Sequence, residues 1–195
     1  MQSKTAFVLL GILKYKSLNP YEIIKILDWL NIWRWSPVSS SSVYTTIRTL
    51  EKKGFIQGRK EKNSLMPEKT IYDIAPTGSE AFMAALKEYI CDDLKDITRY
   101  NLSTLFLCHC SKEEVISMLR ERLVGLSYHY GATEQAYYHY MKELNVPDYA
   151  LLSARHYLNF YKSEMASTEE AISVIMNAEG WGYLPTSGPF EGQLK

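Results

Sequence analysis

Several things are scarce in this 195-residue sequence, and each absence excludes something. Cysteine occurs only three times, an odd number in a chain long enough to bury a core. That excludes a disulfide scaffold and reads as a reduced, cytoplasmic protein. No uncharged apolar run approaches the roughly 18 residues that a membrane span needs. The apolar stretch Ala6–Leu13 has the length of a signal-peptide core. However, Lys14, Tyr15 and Lys16 follow it without an A-x-A cleavage site, so it reads as a first core helix. Catalytic signatures are missing too: there is no G-x-S-x-G, Walker A run, G-x-G-x-x-G or H-E-x-x-H. No paired carboxylates stand beside a histidine at helical spacing. These gaps argue against an enzyme.

What is present is ordinary globular material, 46% apolar and 23% charged, in a length that allows one large domain or two small ones. The formal net charge is zero. The halves differ, however. Residues 1–90 hold 13 Lys and Arg against 8 Asp and Glu, a net of +5, and residues 91–195 hold 9 against 14, a net of −5. Such a split suits a nucleic-acid-facing half joined to a half with another task.

The apolar spacing predicts a helix over Ser3–Lys14, which Gly11 weakens by about 1 kcal/mol relative to Ala. Asn19, Pro20 and Glu22 resemble an N-cap, N1 and N3, close to a capping box. The helix they open should reach Leu30 with Tyr21, Ile24, Leu27 and Trp29 facing inward. Ser39–Ser42 supply N-caps for a third helix running to about Lys53, with Gly54 as the C′ residue. Its apolar stripe is Val43, Ile47 and Leu50. Another face carries Ser41, Thr45, Arg48 and Lys52, hydroxyls and cations without a carboxylate. Phe55–Gln57 and Thr70–Ile74 read as strands around a long basic tip holding Arg59, Lys60, Lys62 and Lys69. A further helix is expected over about Thr77–Asp92.

The second half is helical. After a segment over Asp93–Cys108, Ser111 caps a helix with Glu113 and Glu114 in its first turn, where the helix dipole favours acids. Its stripe includes Leu119, Leu123, Leu126, Tyr130 and Tyr137. After a break at Asn145–Pro147, a second stripe includes Leu158, Tyr161, Met165 and Ile172. Both follow the 3–4 alternation of a coiled coil. They mark a homodimer interface, since two such stripes carry more apolar surface than one antiparallel pair hides. The expected architecture is mainly α (α+β). Residues 1–90 form an N-terminal winged helix-turn-helix with a two-stranded wing. Residues 91–180 form a C-terminal antiparallel helical, coiled-coil dimerisation domain, and 181–195 an irregular tail.

In a winged helix the third helix enters the major groove, and the wing reaches flanking phosphates or the minor groove. The DNA-binding candidates are therefore Ser41, Ser42, Tyr44, Thr45, Arg48, Lys52, Arg59, Lys60, Lys62 and Lys69. Tyr44 has two readings, a phosphate contact or packing beside Val43 and Ile47. Cys108-His109-Cys110 offers at most three ligands, with Cys91 distant, so no metal or cofactor is expected. The aromatic run from Tyr128 to Tyr140, and Trp33 and Trp35, could rim a pocket for a flat ligand or serve as core.

The run Ser42-Val43-Tyr44, then Leu50-Glu51-Lys52-Lys53-Gly54-Phe55-Ile56, resembles the recognition-helix signature of the PadR family of bacterial transcription regulators. Leu9-Leu10-Gly11-Ile12-Leu13 with Asn19-Pro20-Tyr21-Glu22-Ile23 resembles that family's opening, with Pro20 where Gly is usual. Lys69–Gly78 resembles its second wing strand and the start of the next helix, with Ala75 in place of Thr. The resemblance spans about residues 7–82. It implies a homodimeric, sequence-specific repressor on a palindromic double-stranded operator, released by a small-molecule effector. The larger members it suggests include a phenolic-acid-responsive branch, so an aromatic effector is one such candidate. The alternatives are a winged-helix module for protein–protein assembly and a metal-responsive regulator using Cys108, His109 and Cys110.

Overall fold

The computed structural model describes residues 3–30, 32–34, 36, 38–61, 69–92 and 96–182. They fall into two compact units, one holding residues up to Tyr89 together with Thr98–Cys108, the other centred on His109–Trp181.

The first unit is built around helix α1, Lys4–Tyr15. The Ser3 hydroxyl accepts from the Ala6 N–H at 3.1 Å to start it. Residues Thr5 to Leu13 are all buried, so α1 is a central helix covered on every side. Helix α2, Pro20–Trp29, opens on the expected box: Asn19 Oδ1 accepts from the Glu22 N–H, and Glu22 Oε2 accepts from the Asn19 N–H. Its inward face is Ile23, Ile26 and Leu27. Tyr21 and Trp29, expected inside, are exposed, and Ile24 is half-buried. A stripe at i, i+3, i+4 already covers the core, which leaves Tyr21 outside with the Lys25 ammonium 4.7 Å from its ring centre.

Helix α3, Ser40–Lys52, begins on a capping box made by two serines, Ser39 and Ser42. Gly54 comes just after it at φ +69°, a left-handed backbone that suits glycine after a helix end. Strands β1, Ile56–Glu61, and β2, Lys69–Ile74, pair antiparallel from Ile56↔Ile74 to Glu61↔Lys69. The strands are longer than the sequence predicts. Arg59 and Lys60 lie on β1 and Lys69 starts β2, so these cations sit on the ladder and not on the tip. Lys62 lies outside the described residues. Leu18, between α1 and α2, exchanges two backbone hydrogen bonds with Tyr72 of β2, at 2.9 and 3.2 Å, and ties the wing to the helices.

Helix α4, Pro76–Ile90, and helix α5, Ile97–Thr104, complete this unit. Thr98–Cys108, which the sequence pattern puts in the second half, packs with the first because Phe106 belongs to its core. Phe7 stacks on Phe82 with ring centres 5.2 Å apart, and Phe106 meets Phe7 and Phe82 edge-on at 5.5 and 5.7 Å. The Phe106 ring lies where a side chain on Gly11 would be: a Cβ there would come within 2.6 Å of it. Gly11→Ala should therefore cost stability although Ala is the better helix former. We expect about 1–2 kcal/mol net, from an overpacking penalty offset by the propensity gain, read as a lower urea midpoint at unchanged slope. An equal or higher midpoint would show that the ring has room to move.

The second unit is an antiparallel helix pair. Helix α6, Lys112–Lys142, starts on a capping box between Ser111 and Glu114. The Ser111 N–H and hydroxyl hold the Glu114 carboxyl below its ordinary range. Asn145, at φ +50°, lies in the break after α6, and helix α7, Leu152–Asn177, comes after the turn Asp148–Leu151. The Lys112 ammonium bonds the carbonyls of Met176 and Ala178 at 3.0 and 2.9 Å, a cation placed at the C-terminal end of α7. At the other end, Asp148 accepts from the Tyr137 hydroxyl and from Arg155, and the first bond pushes the Tyr137 hydroxyl pKa up. Among the described residues no helix is long and apolar enough to cross a membrane.

Candidate nucleic-acid interface

At about 100° of turn per residue, Ser41, Thr45, Arg48 and Lys52 fall within about 60° of one another on α3, opposite the stripe of Val43, Ile47 and Leu50. The structure keeps that division. Val43, Ile47 and Leu50 are buried, and all four polar residues are exposed. The core thus fixes the roll of the helix, and the roll presents the polar ridge. Tyr44 flanks this ridge and is 50% exposed, so its ring is not a core element.

Ser42 does something else. Its N–H donates to Ser39 Oγ at 3.3 Å, its hydroxyl donates to the Ser39 carbonyl at 2.6 Å, and it lies 3.3 Å from the Thr5 hydroxyl. Its oxygen is engaged in starting α3 and seating it on α1. The neighbouring Ser41 remains at the surface, its hydroxyl 3.2 Å from that of Ser39.

Sequence reasoning passed over an acid at the flank. Glu51, on the side of α3 towards the wing, is exposed. Its carboxylate lies so close to Gly58 of β1 that a Cβ there would meet Oε1 at 2.7 Å. The Tyr72 hydroxyl is pushed up in pKa, first by burial and then by the Glu51 charge, with Arg48 pulling the other way. Arg48 and Glu51 therefore act electrostatically on the base of the wing. The signal was in the sequence, since Glu51 is three residues from Arg48 and so its neighbour on a helix.

On the wing, Arg59, Lys60 and Lys69 are exposed. Arg59 Nε donates to Asp73 Oδ2 at 3.0 Å, and Lys69 approaches Glu61 at 3.9 Å. Asp73 was not among the candidates; its position two residues from the partner of Arg59, on the same face of the hairpin, is what marks it.

The heptad residues of the second unit are brought together within one chain. Leu119 and Leu126 are buried in the chain itself, which leaves them no surface for a partner. A stripe that faces a helix of its own chain is covered there. Leu123, Tyr130, Tyr137, Leu158, Tyr161, Met165 and Ile172 are half-buried. Outward apolar surface lies on both helices and the turn between them, and includes Val124 and Tyr128, one turn apart on α6, as well as Tyr149, Leu152 and Val174. Among the described residues no group of three or more His, Cys, Asp and Glu could hold a metal ion.

Three helices, the third with an exposed polar ridge, then an antiparallel hairpin tied back by a bridge, define a winged helix-turn-helix. Residues 9–84 match the family model of the Transcriptional regulator PadR-like family. Solved structures that the chain matches include Bacillus subtilis PadR in complex with operator DNA, at 20% identity over 90% of this chain and 99% of that one, TM-score 0.41. The PadR-like regulator BC1756 from Bacillus cereus is 16% identical over 90% and 97%, TM-score 0.40. Bacillus subtilis PadR in complex with p-coumaric acid is 17% identical over 90% and 100%, TM-score 0.37. No curated protein matches the chain.

Proposed function

We propose that this chain is a sequence-specific DNA-binding transcriptional regulator, a homodimeric, cytoplasmic repressor of the PadR kind, and not an enzyme. The observation that carries this is the exposed ridge of Ser41, Thr45, Arg48 and Lys52 on the third helix of a PadR-like winged helix, beside a wing carrying Arg59, Lys60 and Lys69. An α-helix fits the major groove of B-DNA, and hydroxyls with cations are the donors that phosphates and guanine edges accept. Two such helices in a dimer would sit about 34 Å apart to dock on a palindrome. A small-molecule effector would release the operator by preferring a dimer with another spacing. Bacillus subtilis PadR binds operator DNA and p-coumaric acid in its crystal structures, which makes that acid the first compound to try here.

The test is selection of duplexes from a random pool by the purified protein. A shared, two-fold-symmetric motif is expected. Recovery of no motif, with no binding even at low salt, would overturn the reading in favour of a protein-interaction module.

The wing gives a separate expectation. Replacing Arg59, Lys60 and Lys62 by Ala should weaken binding to selected and random duplexes by about the same factor. It should also lower the slope of log K against log salt by about 1 for each phosphate no longer neutralised. An unchanged salt slope would remove the wing from the interface.

The dimer is expected to form through the second unit. Its outward face offers Val124 and Tyr128, with the half-buried stripe residues beside them. Light scattering should show two chains at micromolar concentration, and Val124→Asp with Tyr128→Asp should shift the mass to one chain. A wild-type monomer would refute this assembly.

A further inference from the structure

The geometry points to Asp73 as a positioning residue for DNA binding, one that strengthens the complex although it brings a negative charge to a DNA-binding surface. This rests on the DNA-binding reading above. Asp73 stands on β2, paired in register with Gln57 and diagonal to Arg59 on the same hairpin face. Its two carboxylate oxygens have separate tasks. Oδ1 accepts a hydrogen bond from the Ser17 hydroxyl, in the turn between α1 and α2. Oδ2 accepts from Arg59 Nε at 3.0 Å. Ser17 is next to Leu18, whose backbone is doubly bonded to Tyr72, the residue before Asp73. The carboxylate is therefore fixed to the helical body from two sides, and it fixes Arg59 in turn.

The stability of the fold does not account for this arrangement. The Arg59 and Asp73 side chains are 59% and 41% exposed, and pairs this open to water add little to folding. What the bond does is restrict a long, flexible side chain. A guanidinium is a planar fork of five donors. A carboxylate on Nε leaves the two terminal nitrogens for an incoming anion such as a DNA phosphate. An arginine held this way loses less rotamer freedom on binding than one that sweeps through water. Simple charge counting gives the opposite sign: removing an acid from a DNA-binding surface should tighten binding.

The experiment sets those signs against each other. The full-length wild type, Asp73→Ala, Asp73→Asn, Arg59→Ala and the Asp73→Ala/Arg59→Ala double variant are titrated with a selected duplex and a random duplex of equal length, across salt. Asp73→Ala should weaken binding to both duplexes. It should lower the salt slope by about 1, as Arg59→Ala does. The double variant should bind no more weakly than Arg59→Ala alone, because the carboxylate acts through that arginine. Asp73→Asn, which keeps an oxygen for the Nε donor, should recover much of the loss. Thermal melts within a degree or two of the wild type show that the fold is intact. Tighter binding by Asp73→Ala, or losses that add in the double variant, would overturn the assignment of Asp73. A wild type that binds neither duplex would instead overturn the DNA-binding reading itself.

Discussion

Glu164→Leu is expected to destabilise the chain by about 3 kcal/mol, among the larger effects of a single substitution here. Arg122 lies on α6 between Leu119 and Leu126, and its side chain is only 1% exposed. Nη2 donates to Glu164 Oε2 of α7 at 2.7 Å. Glu164 also receives, at its backbone carbonyl, the hydroxyl of buried Thr168 at 2.7 Å. A guanidinium taken out of water needs its carboxylate. Without Glu164 the cation loses this short charge-assisted bond while its side chain stays buried in the seam. The expected cost is at the lower end of the range for buried pairs because Glu164 keeps 16% of its side chain in water. The pair as a whole need not stabilise the fold. Arg122→Met with Glu164→Leu, which removes both charges and fills the space, should recover most of the loss. Urea unfolding at one fixed protein concentration checks both, since a dimer's midpoint depends on concentration. If Glu164→Leu costs under about half a kcal/mol, or the double variant is as unstable as the single one, the loss does not come from a buried charge left without its carboxylate.

Arg122 also shows where sequence reading stops. The heptad stripes of α6 and α7 were legible, because a period of 3.5 repeats the same face whatever covers it. What covers it is not written in the period. A stripe facing another chain and one facing the next helix of its own chain have the same spacing. An arginine beside that stripe reads as solvated until the helix opposite is known.

The caps were legible for a local reason, since Asn19, Ser39 and Ser111 bond to residues three positions on. Gly54 was legible as well, because a helix end needs a left-handed residue. Gly11 looked like a defect in α1, and the Phe106 ring that explains it comes 95 residues later in the chain. Gly78 is similar: a Cβ there would come within 2.0 Å of the Phe55 carbonyl oxygen, a long-range contact that no local pattern encodes. In the interface, the ridge of α3 could be drawn from helical period alone. The ties of Ser42 to Thr5 and of Asp73 to Ser17 and Arg59 depend on how separate elements meet.

The second large expectation concerns Arg48. It lies mid-helix on the exposed ridge, two turns beyond Ser41, with the length and donors to reach a base edge. If it reads a guanine through O6 and N7, Arg48→Ala should cost about 1–3 kcal/mol per half-site on the selected duplex, doubled when both half-sites are read. On random DNA the loss should be smaller, that of one charge. Arg48→Lys separates the two roles, since a lysine restores attraction to phosphate without the planar fork. It should recover non-specific binding and little discrimination. Glu51 sharpens the expectation. Its carboxylate borders the same side of α3 and belongs to the charge environment of Arg48 and Tyr72. Glu51→Gln should therefore raise affinity for both duplexes alike and leave their ratio unchanged, because a bulk repulsion carries no sequence information. The ratio of selected to random affinity is the deciding measurement. If Arg48→Ala lowers both affinities by the same factor, Arg48 is a phosphate contact, and the sequence is read by Ser41, Thr45 or the shape of the duplex.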